Sequence, residues 1–150
     1  MYYNGRLFED VFTHGDAQQK VTGSFYFHKS GPNSYKGGTY KGLDLVFGTE
    51  AGFGGVLIRS IVDVATNEVT SGPCLCVDLL LKTLGCATIA DLVAKHGVVG
   101  KSEEFRLVDA ANAPAHTVSS SMRVGLSLKV EFLVFVFFVL FKLNKGKNGI

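Results

Sequence analysis

His14 lies in the segment EDVFTHGD, residues 9–16, with Glu9, Asp10 and Asp16 around it. Carboxylates this near can orient an imidazole and set its tautomer, the arrangement that acid–base chemistry uses. A surface histidine in a polar loop has the same composition, and no nucleophile elbow accompanies it. Arg59 ends the apolar run GGVLIR, residues 54–59. A cation at the rim of a packed interior needs a partner, and Asp63 or Glu68 is the nearest carboxylate in sequence. Tyr35, Lys36, Tyr40 and Lys41 alternate with glycines in YKGGTYKG, residues 35–42. Cations meet phosphate, aromatics stack on bases and glycines permit close approach. A solvated glycine-rich hairpin has the same make-up.

Cys74, Cys76, Cys86 and His96 are the remaining candidate ligands. Their spacing matches no standard zinc pattern, and positions i and i+2 of a helix do not face each other. Structural thiols without metal are expected, and an odd count of three cysteines fits reduced thiols in an intracellular protein.

These residues need elements to hold them. Phe25-Tyr26-Phe27 has strand composition, and Gly31-Pro32-Asn33-Ser34 is a turn. Strands are expected over 43–47 and 54–62. Ser71-Gly72-Pro73 starts a helix over about 74–84 that stops at Gly85. A second helix over 89–96 takes Thr88 as N-cap, Asp91 in its first turn and Gly97 as its stop. Further strands are expected over 104–108 and 123–129, with a loop over 109–121.

The 150 residues suit one domain with its own core. Mean hydropathy is +0.25, and much of the excess sits in FLVFVFFVLF, residues 132–141. That run is shorter than the roughly 20 apolar residues a spanning helix needs, and no amino-terminal signal peptide is visible. A net charge of +2 permits a polyanionic partner without requiring one. The segment 130–150 is a low-complexity apolar and basic tail, expected to be foreign to a domain over 1–129. Used as an anchor, residues 132–141 would instead make this a small membrane-associated protein.

Taken in order, several segments resemble the alkyladenine (3-methyladenine) DNA glycosylase family. Tyr2-Tyr3 followed by Asp10-x-x-x-His14 resembles its tyrosine and Asp-x-x-x-His. Residues 35–42 resemble its glycine-rich aromatic segment, and Leu57-Ile58-Arg59-Ser60 its apolar strand ending in Arg. Ser71-Gly72-Pro73, Leu84-Gly85 and Arg123-Val124-Gly125 resemble its helix start, helix end and late strand. The resemblance covers roughly residues 2–128.

It implies a single α+β domain with a curved, mainly antiparallel sheet flanked by short helices, like the C-terminal domain of formyltransferases. It also implies hydrolysis of the glycosidic bond of a flipped, alkylated or deaminated purine in base-excision repair, without metal or other cofactor. Tyr3 and His14 would line the base pocket, and Arg59 and the Val124 carbonyl would hold the attacking water. Tyr35, Lys36, Tyr40 and Lys41 would meet the duplex. The family's catalytic Glu lies two residues before the pocket tyrosine, where this sequence has Met1. A truncated or divergent, impaired member is therefore expected, a nuclear or cytoplasmic monomer acting on damaged double-stranded DNA. A non-catalytic nucleic-acid-binding module on the same fold is the alternative.

Overall fold

A computed structural model describes residues 1–6, 9–98 and 102–107, together with the backbone of 120–122, 135–137 and 141–143. The first strand, β1 (Tyr2–Gly5), leads through a polar segment and a 3-10 helix (Ala17–Lys20) to β2 (Phe25–Phe27). Asp16 closes the 3-10 helix with a capping box to Gln19. The hairpin β3 (Lys29–Gly31) and β4 (Ser34–Tyr35) follows, turning at Pro32-Asn33 as its residues predict. Next come β5 (Leu43–Val46), β6 (Gly52–Leu57), β7 (Ser60–Asp63) and β8 (Val69–Ser71).

Two helices, α1 (Pro73–Thr83) and α2 (Ile89–His96), then pack on the sheet. Pro73 sits in the first turn of α1, where its missing N–H is no loss, and Gly85 follows the helix at φ 62°. Thr88 and Asp91 form the capping box of α2, and Gly97 ends it at φ 71°. Both helices therefore lie where their caps predict. The last described strands are β9 (Ser120–Met122), β10 (Phe135–Phe137) and β11 (Phe141–Leu143).

The four-stranded antiparallel sheet runs β1-β6-β5-β2, and a three-stranded one runs β11-β7-β8. Strands β7 and β11 pair in parallel, and among the described residues every other strand pairing is antiparallel. The fold is thus α+β, a mainly antiparallel sheet with short helices against it. Within the 130–150 segment, the backbones of β10 and β11 pair with β9 and β7 respectively.

Phe25, Phe27 and Leu43 project from one face of the larger sheet onto Cys76, Val77 and Leu80 of α1 and Leu92 of α2. Phe105 completes this core, stacked on Phe25 with ring centroids 4.2 Å apart. Residues 104–107 are irregular instead of forming the expected strand. The Ser102 hydroxyl accepts the Phe105 N–H at 2.9 Å and pairs with His96 Nδ1 at 3.1 Å, tying that segment down as a turn.

The strand expected over 54–62 is also broken. Ile58 still bonds Leu43 in the larger sheet, but the Arg59 carbonyl accepts the Gly72 N–H at 2.7 Å. The chain therefore changes sheets at 58–59, and one apolar run serves two sheets.

Candidate functional site

Register decides which side chains meet on the other face of the larger sheet. Tyr2 stands opposite Gly55, Gly55 opposite Val46, and Asp44 opposite both Leu57 and Tyr26. Directly opposed residues of an antiparallel pair share a face, and successive residues alternate. Tyr2, Gly55, Asp44 and Tyr26 therefore share the face that turns away from the helices. The segment ahead of β2 borders it, leaving a half-open cavity of about 120 Å³. Its described lining is Tyr2, Phe12, His14, Gln19, His28 and Asp44.

Asp44 is only 1% exposed, an acidic residue within the otherwise apolar β5. Its Oδ1 lies 3.0 Å from His28 Nε2, so a buried carboxylate holds one nitrogen of the imidazole. Two glycines make the room. A Cβ at Gly55 would stand 3.0 Å from Asp44 Oδ2, and one at Gly42 would stand 2.6 Å from His28 Nδ1. The His28 ring thus occupies space that a larger residue at 42 would claim.

His14 is an exposed residue at the rim of the cavity, yet its ring is partly desolvated. Its Nδ1 lies 3.1 Å from the Tyr26 hydroxyl, and its ring meets that of His28 edge-on at 4.7 Å. Desolvation holds the His14 imidazole below its ordinary pKa of 6.5, and the neighbouring His28 and Lys36 act the same way. Asp44 and Asp16 oppose them without prevailing. Burial pushes the Tyr26 phenol well above its usual range, so it stays a neutral hydroxyl. The segment carrying His14 is pinned from outside: Lys29 Nζ pairs with Asp16 at 2.8 Å and also lies over the Tyr26 ring. Against the cost of burying Asp16, the Lys29 and Gln18 hydrogen bonds keep its carboxyl below the usual range.

A dry cavity of about 150 Å³ accommodates benzene, so this smaller, half-open cavity of about 120 Å³ can take one edge of a larger ring system with the remainder outside it. Tyr2, Phe12 and two imidazoles offer ring faces and edges, while His28, Asp44, Gln19 and His14 offer donors and acceptors.

The sequence-predicted residues divide. His14 is in the site. Tyr3, expected in the pocket, is corrected to Tyr2: Tyr3 opposes Gly54 on the opposite sheet face and stacks on Phe47 at 6.3 Å. Arg59 is half-buried where the chain leaves β6 and is not among the described lining. Asp63 accepts the Ala65 N–H at 2.8 Å. Val124 lies outside the described residues.

Of the four expected duplex contacts, Tyr40 is 77% exposed, and Lys36 is close enough to His14 to act on its charge. The other two have partners within the fold. Tyr35 packs edge-on against Phe27, and the Lys41 ammonium is bound to Asp78, which raises its pKa. Cys76 is a buried core thiol, pushed up to about 11 by that burial, while Cys74 and Cys86 are only half-buried. No group of three or more His, Cys, Asp or Glu suited to a metal ion occurs among the described residues.

Tyr2, Tyr26, His28 and Asp44 were not singled out from sequence. A signal was there: Asp44 interrupts Leu43-Asp44-Leu45-Val46, and a charge within an apolar strand requires a buried partner. Among the described residues, no helix is long and apolar enough to cross a membrane.

No protein-family model matches this sequence, and no solved structure matches it. An uncharacterized protein of Acanthamoeba polyphaga mimivirus, L759, is 29% identical over 143 residues. That alignment covers 85% of this chain and 66% of the viral protein, so the chain spans just under two thirds of the length of the curated relative it matches.

Proposed function

We propose that this protein is a DNA N-glycosylase-like protein of base-excision repair that receives one edge of a flipped alkylated or deaminated purine in the half-open cavity beside His14. The observation that carries the reading is the meeting of His14, a tyrosine and a buried carboxylate–imidazole pair in one cavity. A flipped base needs ring faces to stack on and polar groups to read its edge, and this lining supplies both. With the Tyr26 hydroxyl donating to Nδ1, a neutral His14 carries its proton on Nε2 and offers it to a purine acceptor. Lys36 beside the rim and the exposed Tyr40 would meet the phosphates and the gap in the duplex. The site of action would be intracellular, on double-stranded DNA.

The test is binding of a duplex with one deoxyinosine against the same duplex undamaged, for the wild type and His14→Ala. Preference for the lesion that His14→Ala abolishes is expected, and equal affinity for both duplexes would refute a base pocket. The second reading is a non-catalytic nucleic-acid-binding module, which the net charge of +2 permits. Its mark is salt-sensitive binding that is indifferent to the lesion.

A further inference from the structure

We infer that His28 and Asp44 are the water-activating pair of this cavity, His28 Nδ1 accepting a proton from water while Asp44 holds the ring. The inference rests on the base-binding reading above. It supplies a carboxylate from the middle of the sheet, apart from the Met1 position. Four observations converge on it.

The pair lines the cavity rather than the core. Asp44 is almost fully enclosed, and its Oδ1 takes the Nε2 side of the ring at 3.0 Å, which leaves Nδ1 as the basic nitrogen. Nδ1 has no hydrogen-bond partner among the described residues and is not one of their enclosed, unpartnered atoms. The Nδ1 edge of the ring lies over Gly42, where a Cβ would stand 2.6 Å from it, and the ring of His14 meets the imidazole edge-on at 4.7 Å.

A purely structural role accounts for less. Desolvation offsets most of the attraction in a buried pair, so an apolar pair would hold the sheet as well. Orientation of a base by a buried carboxylate is the arrangement that recurs in acid–base sites.

The reaction balances with these groups alone. The water oxygen bonds to C1′ of the flipped nucleotide as the C1′–N bond breaks, and the electron pair of that bond leaves on the purine nitrogen. The water proton passes to His28 Nδ1 and from there to the departing purine, which returns the imidazole to its neutral form. Asp44 is the positioning residue, since it acts through His28.

The experiment measures single-turnover release of hypoxanthine from the deoxyinosine duplex, alongside affinity for that duplex. Wild type, His28→Gln and Asp44→Asn are compared, with thermal melts for each. Release by the wild type is expected, falling about 10²–10⁴-fold in His28→Gln and substantially in Asp44→Asn, with affinity unchanged. The pH profile of base release should also lose its acidic limb in His28→Gln, a signature that a merely structural role would not produce. If Asp44→Asn fails to fold, His28→Gln decides.

Folded variants that release base at the wild-type rate overturn the pair and leave the base pocket standing. So does a wild type that prefers the lesion duplex yet releases nothing. A wild type indifferent to the lesion overturns both.

Discussion

The two faces of the β1-β6-β5-β2 sheet are made from the same strands and do opposite things. On one, Phe25, Phe27 and Leu43 meet the helices in a dry core. On the other, Asp44 and His28 line a cavity and share a hydrogen bond, and Tyr26 on the same face bonds His14 at its rim. Phe27 and Tyr26 are neighbours in sequence and both fully buried, at 0% and 1% exposure. Burial alone therefore does not separate packing from chemistry here. The separation lies in what each side chain can donate or accept.

Substitutions at these neighbours break the comparison most directly. Phe27→Ala should cost about 3–5 kcal/mol, the range for a large aromatic removed from a core, and chemical denaturation would measure it. Tyr26→Phe keeps the ring and removes only the hydroxyl bonded to His14. It should cost about 0.5–1.5 kcal/mol in the same assay while weakening lesion preference. A Tyr26→Phe loss as large as that of Phe27→Ala would mean that the cavity face is simply a second core.

The smallest expected effect sharpens the picture of the rim. Folded His14 titrates below its ordinary 6.5, so between the two values the unfolded chain binds more protons. Its contribution favours the fold fully above about pH 6.5 and is lost as the pH falls toward the folded value. Thermal melts of wild type and His14→Gln over that interval should converge at low pH. The groups facing His14 are Tyr26, His28, Lys36, Asp44 and Asp16, so the difference between the two proteins, rather than either curve alone, reports on this residue.

Local signals were read well and long-range ones poorly. Thr88, Asp91 and Gly97 mark α2 to the residue, and Pro73 and Gly85 bracket α1, because caps act within one helical turn. The pair Tyr2-Tyr3 gives no hint in sequence of which member faces the cavity. A shift of one residue reverses every side chain of a strand. The break at Arg59 was hidden for a related reason. Nothing within residues 54–62 records that Leu43 and Gly72 compete for the backbone of one continuous apolar run.

By itself, the sequence determined the helices, their ends, the aromatic strand Phe25–Phe27 and the candidacy of His14, since each depends on residues within a few positions. Only the tertiary structure decided that His14, His28 and Asp44, up to 30 residues apart, meet beside Tyr2. Their meeting is set by the register of β1, β6, β5 and β2, and register is a property of strand pairs that no single strand carries.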